Sequence, residues 1–165
     1  MNEPEKKTAK ALVEYCFKQL GRPYWYGTFG QRATRQLYLN RKATYPRYYT
    51  ASDFECQFGQ KVHDCIGLVK GFFWCDDADS THYVYKKDFP DVSADGQYNR
   101  STRKGDISTL PETPGALVFM KGHVGVYVGN GEVIEARGHK FGVVKTKLSE
   151  RSWKRWALID EISYE

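Results

Sequence analysis

The chain has 165 residues, of which 41% are hydrophobic and 27% are charged, with four cysteines and a formal net charge of +5. This composition is typical of a soluble globular protein, and the length fits one domain with a core of its own. It excludes a disulfide framework, because four cysteines without CxxC spacing are too few for such a chain, and we expect reduced thiols. The positive charge is compatible with nucleic acid, cell wall or anionic lipid as a partner and does not choose among them.

The first twenty residues predict a helix that is not a targeting signal. The stretch "MNEPEKKTAKALVEYCFKQLG" has no long apolar core and no small-residue cleavage site. We therefore expect neither a signal peptide nor a membrane span. Apolar residues fall on one stripe at helical spacing between residues 8 and 20, and Gly21 follows as a stop signal.

The next segment is rich in turns and aromatic residues. It begins with "GRPYWYGTFG", and residues 28–62 show no sustained period, so we expect an extended loop or flap there. Within it, "RQLYLNRKATYPRYY" interleaves basic and aromatic side chains, a mixture that suits polyanions or sugars. A solvated loop accounts for the same pattern.

The stretch "KVHDCIGLVKGFFW" predicts the central helix, from about Cys65 to Cys75, because it is apolar over most of its circumference. A thiol in the first turn lies among unpaired backbone N–H groups at the positive end of the helix dipole. Both favour the thiolate, so we expect rapid alkylation below about pH 7. Asp64 precedes it as a predicted N-cap. Two alternatives remain, a buried structural thiol and a zinc site drawn from Cys56, Cys65, Cys75, His63 and His82.

Residues 76–114 read as a long polar connection, after which the period changes to that of strands. Five strands are predicted, at residues 116–120, 123–129, 132–137, 142–148 and 155–162. The "GNG" at 129–131 is a hairpin signal. Helices followed by a run of antiparallel strands predict a single α+β domain over residues 1–165, with the helices packed on a sheet of about five strands.

His123 is the preferred base for the thiol because it opens a strand in which Gly122 and Gly125 leave room beside the imidazole. Neighbouring side chains of an extended segment point in opposite directions, so His63 is a poor candidate. His82 lies in the polar connection, where nothing fixes its geometry.

Glu135 is the candidate orienter of that imidazole. If the hairpin loop has three residues, Val128 pairs with Glu132 and Gly125 opposes Glu135, which then projects on the face of His123. A two-residue turn would direct Glu135 to the other face. A solvent-facing strand residue is the alternative, and His139 is the fallback orienter.

In this order the motifs resemble the NlpC-type cell-wall cysteine peptidases, a papain-like family. "GRPYWYG" resembles its G-x-P-Y-x-x-G segment, and "DCIGLV" resembles its Asp-Cys-Ser-Gly helix start, with Ile66 in place of the serine. "GALVF" and "GHVGVYVGNG" are similar to its next two strands. The third polar residue of the family falls on Glu135.

The resemblance implies a papain-like fold with Cys65 as nucleophile, His123 as general base and acid, and Glu135 as orienter. Tyr24 is expected beside the thiol, where it and Asp64 would hold the substrate or the oxyanion. The reaction implied is hydrolysis of amide bonds in peptidoglycan stem peptides, at the bond between D-glutamate and the diamino acid, through a thioester. No metal or cofactor is required.

Three other functions remain open: an N-acetylmuramoyl-L-alanine amidase, a thiol acyltransferase, and a wall-binding module without catalysis. The expected partner is peptidoglycan, with no nucleic acid and no membrane insertion, and the expected state is a monomer. A protein made in the cytoplasm that acts on the wall, as phage or prophage lysins do, fits the predicted lack of a signal peptide.

Overall fold

A computed structural model describes residues 6–165, and its helices and strands form an α+β fold, as predicted. The helices are α1 (Ala9–Gln19), α2 (Arg35–Thr44), α3 (Cys65–Trp74) and α4 (Ala94–Arg100). The strands are β1 (Phe29–Arg32), β2 (Lys61–His63), β3 (Lys104–Asp106), β4 (Leu117–Met120), β5 (His123–Gly129), β6 (Glu132–Ala136), β7 (Val143–Lys147) and β8 (Arg155–Ala157).

The main sheet has six antiparallel strands in the order β3-β8-β4-β5-β6-β7, and β1 pairs with β2 separately. All five predicted strands are present, although β8 ends earlier than expected. The sixth strand, β3, and the helix α4 lie within residues 76–114, where the sequence indicated only a connection. Both are short, and neither carries an apolar stripe long enough to reveal its period.

The helix α3 lies at the centre of the fold, with every residue from Ile66 to Trp74 buried. Two of its glycines let the β1 segment approach closely. A Cβ atom at Gly67 would lie 1.8 Å from the carbonyl oxygen of Thr28, and one at Gly71 would lie 2.9 Å from that of Phe29. The mostly apolar sequence of α3 is therefore that of a helix packed on all sides.

The β5–β6 hairpin has the predicted register along its strands, where Val126 pairs with Ile134 and Tyr127 with Val133. The predicted pairing of Val128 with Glu132 is wrong, because the register shifts at the turn and Gly129 pairs with Glu132. Backbones with positive φ in the loop accommodate this irregularity. Away from the turn, the strands keep the predicted pairing, so the side chain of Glu135 projects on the same face of the sheet as that of His123.

Residues 28–62 contain β1, α2, two 3₁₀ turns and β2, where an extended loop was expected. They enclose a small second core of fully or nearly fully buried residues, Trp25, Ala33, Tyr49, Phe54 and Val62. The helix α2 covers this cluster, but none of its own residues is buried. A helix with no buried face needs no apolar stripe, and the sequence of α2 shows none.

Within residues 6–165, the helices are too short or too polar for any of them to cross a membrane.

Candidate active site

The site begins at the N-terminus of α3, where Asp64 caps the helix as predicted. Its Oδ1 accepts a hydrogen bond from the Gly67 N–H at 2.7 Å, and its Oδ2 accepts one from the Gly27 N–H at 2.9 Å. Because a backbone donor engages each of its oxygens, Asp64 supports the site as a helix cap.

The Cys65 thiol lies beside the turn between β4 and β5. Its Sγ is 4.0 Å from the carbonyl oxygen of Gly122, and the N–H of Val124 also points to the sulfur. These two residues flank His123 in the chain. The fold thus brings the start of α3 against the start of β5, which places the segment carrying the imidazole next to the thiol.

Burial raises the pKa of the Cys65 thiol to about 12, and the nearby Asp64 carboxylate raises it further than burial alone would. The N–H groups of Val124 and Ile66 act in the opposite direction without overcoming burial. The shift is opposite to the one predicted from the helix start. A raised pKa favours the thiol over the thiolate at neutral pH, so Cys65 would need a base to act as a nucleophile.

A raised pKa predicts that alkylation of Cys65 becomes faster with pH beyond the neutral range, because the thiolate fraction grows about tenfold per pH unit below the pKa. The exposed Cys56 is a reference thiol in the same chain. Labelling with iodoacetamide, followed by peptide mass spectrometry, should show Cys65 slower than Cys56 at about pH 7 and gaining on it above about pH 9. A plateau for Cys65 below neutrality would contradict the raised pKa.

Glu135 and His123 are in contact, with His123 Nε2 2.8 Å from Glu135 Oε1. The carboxylate is completely buried and has two further donors. The Thr146 hydroxyl donates to it at 2.6 Å, and the Arg151 guanidinium donates through Nη2 at 2.9 Å and through Nε at 3.2 Å. The imidazole also stacks on Trp153, with ring centroids 5.5 Å apart.

Burial by itself would raise the pKa of Glu135, but hydrogen bonds from His123, Arg151 and Thr146 outweigh it and lower the pKa to about 2. Glu135 is therefore an anion at neutral pH. An anionic acceptor at Nε2 selects the tautomer with its proton on Nε2, which makes Nδ1 the proton-accepting nitrogen of the ring.

The orienting contact predicts a graded effect of substitution at Glu135. Glu135→Gln should lower kcat about tenfold, because the amide oxygen still accepts from Nε2, and Glu135→Ala should lower it about 100-fold or more. The measurement is the initial rate of peptidoglycan solubilisation, with circular dichroism as the check on folding. Equal and near-wild-type rates for both variants would remove Glu135 from the site.

Sequence reasoning missed Arg151 and Thr146, which hold the buried carboxylate. Arg151 follows a short 3₁₀ turn and lies outside the strands, where no periodicity gives its direction. Thr146 lies on β7, and only the pairing of β6 with β7 brings it to Glu135. No signal in the sequence alone points to either residue.

The remaining predicted residues are Tyr24 and His139. Tyr24 lies near the thiol, and burial together with the neighbouring Cys65 raises the pKa of its hydroxyl, which stays a hydrogen-bond donor. His139 is not an orienter of His123. Its ring stacks on Phe54 with centroids 4.1 Å apart, and its Nδ1 is 3.3 Å from the carbonyl oxygen of Tyr24.

The residues proposed for a zinc site do not converge. His63 is buried with its Nε2 3.0 Å from Gln19 Oε1, whereas His82 is exposed and pairs with Asp76. Cys56 and Cys75 are both free thiols, one exposed and one buried. In the part of the chain that the structure describes, no cluster of three or more His, Cys, Asp or Glu side chains could hold a metal ion.

A groove of about 480 Å³ runs past the thiol. One wall comes from the segment at residues 28–62, because Arg41 and Tyr45 of this segment face the groove. Arg41 is fixed there by a hydrogen bond from its Nε to the carbonyl oxygen of Gly27, at 2.8 Å. The site therefore combines a thiol, an imidazole paired with a buried carboxylate, and a groove with both charged and aromatic side chains.

A model of the NlpC/P60 family matches residues 21–161 of the chain. No curated protein matches it. Among solved structures, the fold is similar to the P60 domain of an antigen from M. avium subspecies paratuberculosis, with 20% identity and a TM-score of 0.54 over 92% of this chain and 93% of that one.

Two further structures have the same fold. NlpC2 from Trichomonas vaginalis is 15% identical with a TM-score of 0.55, covering 96% of this chain and 49% of its own. The peptidoglycan hydrolase RipB from Mycobacterium tuberculosis is 19% identical with a TM-score of 0.53, covering 92% and 65%. The chain thus spans about half the length of NlpC2.

Proposed function

Since the chain belongs to the NlpC/P60 family, and is by that membership a cysteine peptidase, we propose that it hydrolyses amide bonds in peptidoglycan stem peptides. The observation that carries the proposal is the contact of His123 with a buried, anionic Glu135 beside the Cys65 thiol. A non-catalytic wall-binding module has no use for a buried carboxylate directed at an imidazole.

In the proposed reaction, His123 Nδ1 takes the thiol proton while Sγ attacks the amide carbon. The oxyanion forms at the start of α3, where the Cys65 N–H belongs to the first turn and can donate to it. The imidazolium, stabilised by Glu135, then protonates the departing amine and leaves a thioester on Cys65. Water attacks the thioester with the same imidazole as base, which releases the acid and restores the thiol.

We further propose the bond between D-glutamate and the diamino acid as the one cleaved. The groove is lined by aromatic side chains and by charges of both signs, with Arg41 and Lys70 beside Asp64, Asp91 and Asp95. The formal net charge of +5 over the whole chain suits a polymer rich in carboxylates. Muramoyl–alanine amidase activity uses the same chemistry at a different bond, and product analysis separates the two.

The test is mass spectrometry of the products from two purified peptidoglycan types. A new amino terminus on the diamino acid is the expected result. A new amino terminus on L-alanine would identify an amidase instead, and the absence of any new amino terminus, with walls that stay intact, would contradict the proposal.

A further inference from the structure

A second depression, of about 420 Å³, lies next to the catalytic groove, across the β4–β5 turn. Its walls come from α4, the end of β4 and the start of β8. The residues on which its chemistry depends are Asp95, Tyr98, Lys121, Lys154 and Arg155. Three cations and one carboxylate line this depression, which we call the basic pocket.

Among the described residues, the cations of the basic pocket form no close ion pair, although Asp106 lies near two of them: hydrogen bonds from Ser108, and then the charges of Arg155 and Lys154, lower the pKa of its carboxyl. Within residues 6–165, none of Lys121, Lys154 and Arg155 has a carboxylate oxygen within 4.0 Å. The one carboxylate in the lining, Asp95, accepts a hydrogen bond from the Gly122 N–H at 3.0 Å. The nearby Asp106 accepts one from the Ser108 N–H at 2.9 Å.

The guanidinium of Arg155 is held in place while its charge stays available. It lies over the ring of Tyr98, with its Cζ 5.0 Å from the ring centroid, and Lys104 Nζ lies 4.7 Å from the same centroid. An arginine that stacks on an aromatic ring loses less freedom when it binds an anion. Because its planar fork matches a carboxylate, this arrangement favours that anion.

The basic pocket is close enough to the thiol for one substrate to occupy both. Asp95 lines the groove as well as the pocket, and Gly122, next to Lys121, has its carbonyl oxygen 4.0 Å from Cys65 Sγ.

The side on which the basic pocket lies assigns it to the leaving half of the substrate. Its walls include β4, β8 and the turn that leads into His123, the residue that must protonate the departing amine. The opposite end of the groove, towards Tyr24 and Arg41, is left for the acyl half. The leaving fragment of a stem peptide carries carboxyl groups, so the basic pocket faces an anion wherever one of them is free.

We propose that the basic pocket binds a carboxylate of the amine-side fragment and thereby selects stem peptides whose carboxylate on that side is free rather than amidated. This inference rests on the proposed function for the identity of the fragment. It adds Lys121 and Arg155 as residues that determine specificity, and neither takes part in the bond cleavage.

The test compares two synthetic stem peptides that differ only in a free or amidated carboxylate on the leaving half. For the double variant Lys121→Gln/Arg155→Gln, KM for the free acid should rise about tenfold with kcat nearly unchanged, as expected for the loss of two exposed ion-pair contacts. The amidated peptide should show no change. The matched control Lys140→Gln/Lys147→Gln removes the same charge from another face and should leave both substrates unaffected. An equal loss on both substrates would overturn the proposal.

A binding measurement separates failure of this inference from failure of the proposed function. Isothermal titration of the leaving fragment into the active protein should show tighter binding of the free acid than of the amide, and the double variant should lose this preference. If that result holds while neither peptide is cleaved, the pocket stands and the proposed reaction fails. Equal affinity for the acid and the amide would overturn the assignment of a carboxylate to the basic pocket. Binding of glycerol phosphate with the same affinity as the free acid would overturn it as well.

Discussion

Cys65→Ala is expected to abolish digestion of purified cell walls while leaving sedimentation with those walls unchanged. The variant has no atom that can form the thioester, so the rate should fall by at least about 1,000-fold. The groove keeps its other lining residues, because the substitution removes a single sulfur atom and leaves α3 capped by Asp64. The measurement is the release of soluble fragments together with a pull-down of the protein on insoluble walls.

The matched control for this variant is Cys56→Ala. Cys56 is also a free thiol, but it is exposed and its Sγ donates a hydrogen bond to the carbonyl oxygen of Asp53. The Cys56→Ala variant should digest walls at the wild-type rate. Digestion by Cys65→Ala at a rate near that of Cys56→Ala would exclude a thiol nucleophile at position 65.

Gly67→Ala is expected to prevent stable folding. The new Cβ would lie 1.8 Å from the carbonyl oxygen of Thr28, which is the same oxygen that accepts the Asp64 N–H at 2.9 Å. Relieving the clash requires the β1 segment to move away from α3, so the free energy of unfolding should fall by about 4 kcal/mol or more. Urea denaturation followed by tryptophan fluorescence measures this loss.

Gly131→Ala is the control for the effect of adding a methyl group to a glycine. Gly131 has φ of +74°, and no other atom lies within 4 Å of the place that its Cβ would take, so only backbone strain of about 1 kcal/mol applies. A Gly67→Ala protein with the same urea midpoint as Gly131→Ala would show that β1 does not pack on α3 as described.

The sequence predicts the elements whose burial is periodic, and α3 and the β5–β6 hairpin are the best examples. Parity along two paired strands was enough to bring Glu135 to the face of His123, although the hairpin turn itself is irregular. The helix α4 and the strand β3 escaped prediction because short polar elements leave no period to detect.

The electrostatics of the site are less accessible to sequence reasoning than its geometry. The position of Cys65 at a helix start is visible in the sequence and indicates a lowered pKa, but burial depends on every element packed around the thiol and reverses the direction. The low pKa of Glu135 likewise depends on Arg151 and Thr146, which only the tertiary fold brings to it.

Ile66 stands where the resembling family has a serine, and its side chain packs in the main core with 4% of its surface exposed. The substitution therefore exchanges a hydroxyl for apolar packing beneath the first turn of α3. The Cys65 N–H and the Tyr24 hydroxyl are among the groups near the thiol that could donate to an oxyanion.

The proposed mechanism requires a covalent bond between the substrate and Cys65, and intact-protein mass spectrometry of an acid-quenched digest detects that bond directly. Acid slows thioester hydrolysis, so a fraction of the protein should carry the mass of the acyl half of the stem peptide, and peptide mapping should locate the adduct on Cys65. Rapid cleavage with no adduct on Cys65, and with the same rate after that thiol has been alkylated, would contradict a cysteine peptidase mechanism.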